Sequence, residues 1–364
     1  MSVQEDDWDV NAAATAPGAT KVGTESSAHV GLSIIIPTRN SASRIGATLE
    51  ALETAVDRLD HVAAEIIVVD NASDEDIHTP IKAFWARRDR AGPRRIMREQ
   101  RLGAAYARLK GFQEARYPVV VYCDDDVLPA SDSLQLISEI GGREADVGGG
   151  GGWIRPRLVD GAEWPAWMDN GLMVNLAVFP GDCPTTYTPP ASHYPVSALV
   201  WFRKEALAGW APLMQQRDAF VFGPAGKEMW RGDDFEMDIT AGRAGWRLKV
   251  DSRITAEHCI PPSRLTRDYF ASLLYWNGRT SQRWRNKWFR RSWAYDFLRL
   301  VYRVVWKRDP LFARAFWHAA KNAPAPLTLD PKLDDAAFNR LLHELYAFGV
   351  AEERVLRILK PSIH

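Results

Sequence analysis

Cysteine is scarce in this chain. Cys123, Cys183 and Cys259 are the only three, far apart, with no CxxC or zinc-ribbon spacing. That excludes a disulfide framework and a zinc module, and suits a reducing compartment. Net charge is missing as well: 46 Lys and Arg balance 46 Asp and Glu. No global field then draws nucleic acid or an anionic surface, and any electrostatic function must be local. No uncharged apolar run reaches about 18 residues, so no membrane-spanning helix is expected. The opening QEDDWD stretch lacks the basic start and apolar core of a signal peptide. These absences together predict a cytoplasmic protein. There is no repeat of 20–50 residues, and the glycine run at 149–152 is not followed by the GK[ST] of a phosphate-binding Walker loop.

What is present is an alternation of apolar runs and amphipathic segments. Residues 1–30 carry no apolar periodicity and read as a flexible tail. Order begins with Ser33–Ile36, a β-branched run stopped by Pro37 that suits a buried parallel strand. Ile45, Leu49, Leu52, Val56 and Leu59 recur at spacings of four and three, a helix that Ser41 or Ser43 could cap. EIIVVD, a weaker strand near 95–97, LGAAYARLKGFQEA and VVVYC continue the pattern, with PVSALVWF and RLKVD as later strands. Strand and helix in alternation predict an α/β fold, a mostly parallel sheet with helices on both faces. A domain over 31–262 and a helical extension over 263–364 follow.

The chemistry gathers at strand ends, where open α/β sheets bind ligands. Asp70 ends EIIVV, and Asp124, Asp125 and Asp126 end VVVYC. A lone strand-end Asp is commonly a turn or cap residue. Three in a row repel one another unless a cation compensates, and carboxylates together with phosphate oxygens suit Mg²⁺ or Mn²⁺. A further acidic group, Asp233, Asp234 and Glu236, opens a predicted helix.

In the order SIIIPTRN, EIIVVDNAS, LGAAYARLKG, VVVYCDDDVLP and GDDFEM, the chain resembles a family 2 glycosyltransferase of GT-A fold over about residues 32–260. The resemblance implies inverting transfer of a sugar from a nucleotide-sugar donor. It implies that Pro37, Thr38 and Arg39 border the nucleotide, that Asp70 meets the base, and that Asp124 touches the ribose or the metal. Asp126 would bind the metal, while DDD leaves the register of Asp125, also on the donor side, ambiguous. Gly103, Arg108 and Gly111 match the family's GxxxARNxG pattern, with Leu109 where Asn is usual. Arg108 is then either a diphosphate contact or a solvated helix residue. Gly149 would let the backbone approach the donor sugar. GDDFEM resembles GEDxEL, which makes Asp234 the general base and puts Asp233 in the Glu position; the plain alternative is that either acid caps the helix. His258 would complete a metal site with Asp126 and Asp124, or be structural.

The expected function is therefore an inverting, Mn²⁺- or Mg²⁺-dependent glycosyltransferase using a nucleotide sugar, with a UDP-sugar favoured. Its acceptor would be a carbohydrate or lipid-linked hydroxyl in polysaccharide or glycolipid synthesis. Two alternatives stand beside it: a nucleotidyltransferase acting on a sugar phosphate, and a non-catalytic binding module at the membrane periphery. Between Arg279 and Arg308 lie ten Lys and Arg against Asp296, interleaved with Trp284, Trp288 and Trp293. Such a stretch suits the inner membrane face or packing on the core. Gln282 is followed by RWRN and so misses the QxxRW of processive synthases, which predicts addition of a single sugar. No nucleic-acid module is present.

Overall fold

The computed structural model describes residues 29–88, 92–178, 186–189, 197–215, 228–288, 297–298, 300–321, 329–330 and 332–359. The expected N-terminal tail, apart from its last two residues, lies outside them, as do Cys183 and Trp293.

Among the described residues nine strands form one mixed sheet, in the order Arg94–Glu99 (β3), Ala64–Asn71 (β2), Leu32–Thr38 (β1), Val119–Cys123 (β4), Leu199–Arg203 (β8), Val147–Leu158 (β6), Arg247–Ile260 (β9) and Val127–Pro129 (β5), with Thr186–Tyr187 (β7) pairing β9 off this path. Its first half is parallel: β1 (Leu32–Thr38), β2 (Ala64–Asn71), β3 (Arg94–Glu99) and β4 (Val119–Cys123). All residues of β1 and β4 are buried, as unbroken apolar runs in a parallel sheet must be. Helices α1 (Ile45–Asp57), α2 (His78–Ala86) and α3 (Ala104–Glu114) connect them. Ile34, Ile36, Ile66 and Val68 face α1 in one apolar layer, and Ile35, Ile67 and Val69 face α3 in another. α1 is not capped by a serine side chain: the hydroxyl of Ser41 meets Thr38, and its carbonyl accepts from the amides of Arg44 and Ile45.

Beyond β4 come β5 (Val127–Pro129), α4 (Ser133–Arg143), β6 (Val147–Leu158), a short α5 (Asn170–Met173), β7 (Thr186–Tyr187) and β8 (Leu199–Arg203). Then α6 (Trp210–Met214), α7 (Asp233–Arg243) and β9 (Arg247–Ile260) complete the sheet region. β8 is antiparallel to both β4 and β6, whereas β6 and β9 run parallel with register shifts. The glycine run is itself strand: a Cβ on Gly150 would lie 1.8 Å from the Lys249 carbonyl, and one on Gly152 1.9 Å from that of Ile254. The strand expected over RLKVD continues to Ile260, so His258 sits within β9 rather than after it.

The C-terminal region is helical: α8 (Arg267–Trp288), a π-helical turn (Tyr302–Trp306), α9 (Pro310–Ala320) and α10 (Asp335–Leu359). α8 and α10 meet closely at glycines, for a Cβ on Gly278 would lie 2.1 Å from the Tyr346 carbonyl oxygen and one on Gly349 2.2 Å from that of Tyr275. Their apolar faces share a core with Trp167, Leu176 and Trp230. Arg279, Arg283 and Lys287 of α8 turn inward. Arg279 and Arg283 pair with the fully buried Glu353 and lie over the Trp230 ring, and Lys287 pairs with buried Glu236. Among the described residues, no helix is long and apolar enough to cross a membrane.

Candidate active site

Parallel pairing brings the strand ends together. Thr38 and Asp70 are register partners at the carboxyl ends of β1 and β2, and β4 lies on the other side of β1. Asp70 is fully buried. It accepts from the Ser73 amide at 2.8 Å, lies 3.1 Å from His78 Nε2, and accepts from Arg98 Nη1 at 2.9 Å. Burial pushes its pKa up, but the Ser73 and His78 hydrogen bonds and the Arg98 charge outweigh that and hold it below its ordinary value. Arg39 bonds Asp74 at 2.8 Å on the surface beside Pro37. Gly103 begins α3 at φ 133°, where glycine is favoured, and donates its amide to Asn71 Oδ1 at 2.8 Å.

Each acid of the DDD turn has its own arginine. Arg108 of α3, 3% exposed, donates to Asp124 Oδ1 at 2.8 Å and also to Asp233 of α7. It is thus neither a solvated helix residue nor directed at open space; it fastens the end of β4 to the start of α7. Asp125 is gripped by the Arg44 Nε and Nη2 atoms, both at 3.0 Å, and by the Thr38 hydroxyl at 2.5 Å. Asp126 accepts from Arg264 Nη2 at 2.8 Å. The repulsion inside DDD is therefore met by three guanidiniums from three different elements. The acids nonetheless differ. Burial, then the other two Asp charges against Arg108, raise Asp124 to about 6. Asp126 falls to about 2 because the neighbouring His258 and the Arg264 charge overcome its burial.

His258 reaches Asp126 because β5 and β9 pair with Val127 opposite His258, and the Cys259 amide donates to the Asp126 carbonyl at 2.8 Å. Its Nδ1 donates to the Leu176 carbonyl at 2.7 Å, which leaves Nε2 as an acceptor. That Nε2 stands 3.4 Å from Asp126 Oδ1 and accepts from Arg264 Nη1 at 2.9 Å. The guanidinium of Arg264 thus sits across a carboxylate–imidazole pair. No group of three or more His, Cys, Asp or Glu side chains arranged for a metal occurs among the described residues. The Asp126–His258 pair still fits a divalent cation completed by phosphate oxygens and water, the usual mode of Mg²⁺. Asp124, expected as a possible third ligand, is turned to Arg108.

α7 starts after Gly232, whose φ is 99°, and neither acid side chain caps it. Asp233 goes to Arg108. Asp234, half-buried one residue on, accepts from the Phe235 amide at 3.0 Å. Burial and the neighbouring Asp233 charge push the Asp234 pKa up, against Arg108. Gly149 is accounted for by sheet packing: a Cβ there would lie 2.4 Å from the Phe202 ring and 2.7 Å from the Trp201 carbonyl. Sequence reasoning missed Arg44, His78, Arg98 and Arg264. Arg44 and Arg264 share one weak signal, a basic residue a few positions beyond a strand's site-facing end.

Residues 33–165 match the model of Glycosyl transferase family 2. The fold is of the GT-A type found in such enzymes: the mannosyltransferase PcManGT from Pyrobaculum calidifontis, solved with GDP-Man and Mn²⁺, superposes with a TM-score of 0.54 at 17% identity, covering 93% of this chain and 90% of that one. TarS of S. aureus is similar at 16% identity, TM-score 0.44, over 89% of this chain and 54% of that one. Glucosyl-3-phosphoglycerate synthase from Mycobacterium tuberculosis, with Mn²⁺, UDP-Glc and phosphoglyceric acid, is similar at 16% identity, TM-score 0.42, over 71% and 84%. No curated protein sequence matches.

Proposed function

We propose that the chain transfers a single sugar, with inversion, from a nucleoside-diphosphate donor to a hydroxyl of a carbohydrate or lipid-linked acceptor. UDP is the favoured nucleotide and Mn²⁺ or Mg²⁺ the cofactor. The supporting observation is the join made by Arg108, which brings the strand-end acids next to the opening turn of α7. Pro37, Thr38, Arg39 and Asp70 border the nucleotide in this reading. Asp126 and His258 hold the divalent cation, whose contribution is to neutralise charge on the departing diphosphate.

Asp234 acts as general base. Its carboxylate accepts the acceptor hydroxyl proton while the oxygen bonds to the anomeric carbon, and the bond to the diphosphate breaks on the opposite face. Burial and the Asp233 charge raise its pKa, and a carboxylate so raised is a stronger base than a free one. Asp233, tied to Arg108, holds Asp234 in place. The setting is cytoplasmic polysaccharide or glycolipid synthesis, with peripheral membrane contact through the C-terminal extension so that a lipid-linked acceptor is met at the bilayer.

Calorimetric titration with UDP, GDP and dTDP, each with and without Mn²⁺, tests the donor site. Metal-dependent binding of UDP is expected. Asp234→Asn should keep that binding and lose transfer by about 10²- to 10⁴-fold. Failure of every nucleotide to bind in the presence of Mn²⁺ would sink the proposal.

A further inference from the structure

The C-terminal helices carry an apolar face with nothing of this chain's described residues over it. Helical residues at 297–298 and 300–301 lead into the π-helical turn Tyr302–Trp306. Leu300 is buried and Val304 packs into the helical core, so this face is already satisfied. The remaining apolar residues point outward: Leu298 is 67% exposed, Val305 65% and Trp306 81%, with Val301 and Tyr302 also exposed. A helix apolar on both faces is expected to be covered on both.

The rim of this face has one sign of charge. Arg303, Lys307, Arg308, Arg314 and Lys321 lie within the described residues 300–321, where Asp309 is the one acid. Asp309 is consumed locally, since it pairs with Arg303 at 2.9 Å and its side chain caps α9. Lys307, Arg308, Arg314 and Lys321 are exposed. Trp and Tyr carry an apolar body with a polar handle and favour the boundary between water and lipid. A surrounding set of Lys and Arg, with their charge carried beyond apolar stems, is complementary to anionic headgroups.

We infer that the outward face of residues 298–306, with its basic rim, docks on an anionic lipid bilayer. This rests on the proposed peripheral membrane contact and relocates it. Arg279, Arg283 and Lys287, the start of the basic stretch, are engaged in buried ion pairs and do not take part. Docking through 298–306 would keep the chain on the leaflet that presents a lipid-linked acceptor, while the donor, a soluble nucleotide sugar, arrives from water.

The test uses the full chain, sedimented with phosphatidylcholine vesicles and with vesicles enriched in phosphatidylglycerol, at low and high salt. The wild type should bind the anionic vesicles and release as salt screens the rim. The double variant Val305→Asp, Trp306→Ser should lose at least about tenfold in partitioning, with unchanged melting temperature and unchanged Mn²⁺-dependent UDP binding. If the wild type binds vesicles and the variant binds equally well, the face is wrongly assigned although membrane contact survives. If the wild type binds no vesicle, both membrane statements fall while the UDP titration still judges the donor site. If the wild type instead self-associates and the variant is monomeric, the face is a protein interface and the proposal is overturned.

Discussion

Arg108 ties the two halves of the site together, and removing its charge is the sharpest test of how the site is held. Arg108→Met keeps much of the stem's packing and deletes the guanidinium that bonds Asp124 and Asp233. Asp124 is half-buried and regains some hydration, but Asp233 is 4% exposed and is left as a nearly bare buried carboxylate. Breaking a buried ion pair from one side costs about 3–5 kcal/mol. Partial relief at Asp124 favours the lower end, so a loss of about 3 kcal/mol is expected in urea unfolding followed by circular dichroism. Part of that loss comes from the stranded charge. Adding Asp233→Asn should therefore restore stability, with a coupling of about 1.5 kcal/mol or more in the double-mutant cycle. A loss below about 1 kcal/mol, the size of an ordinary surface change, or additive single effects, would refute the clamp.

Two further perturbations address the metal pair and the helical extension. Arg264→Gln removes the cation lying across Asp126 and His258; charged hydrogen bonds contribute about 1.5–3 kcal/mol, so Mn²⁺ alone should bind at least about tenfold tighter than to the wild type. Loss of the free-Mn²⁺ electron paramagnetic resonance signal reads this without turnover, and unchanged or weaker binding would count against Asp126 and His258 as the cation's ligands. Gly278→Ala ordinarily stabilises a helix interior by about 1 kcal/mol. Here the added Cβ meets a backbone carbonyl at 2.1 Å, so net destabilisation of about 1–3 kcal/mol is expected in thermal unfolding. A rise in melting temperature would show that α8 and α10 are not in close contact at that point.

β1, β2 and β4 could be read from sequence because a parallel strand buried on both faces must be a continuous apolar run, and each such run ended in turn residues. The second half of the sheet was harder for a physical reason. The glycines of β6 have no side-chain pattern to read, and their need arises from how closely β8 and β9 approach. Likewise β9 runs 14 residues because β5, β6 and β7 all pair with it, a demand its own alternation does not carry. The basic Trp-rich stretch was visible as composition. Its division into an inward part and an outward part was not, since Glu353, the partner of Arg279 and Arg283, comes from α10, 74 and 70 positions further along the chain.

The acids of the site were legible for the same reason that their arginines were not. Three adjacent carboxylates are a local anomaly, and local anomalies show in a sequence. The answer to them is tertiary: Arg108 and Asp233 are 125 positions apart, and Arg264 and Asp126 are 138 apart. Three adjacent carboxylates need positive charge beside them; a divalent ion is one way to supply it and three guanidiniums are another. The structure distributes the task. Arg44 and Arg108 fix Asp125 and Asp124 from surrounding elements and leave those carboxylates little freedom. Arg264 alone stands, one-third exposed, on the pair that could serve a metal. It follows that variation at Arg44 should act through local order at the end of β1, and variation at Arg264 through ion and nucleotide binding.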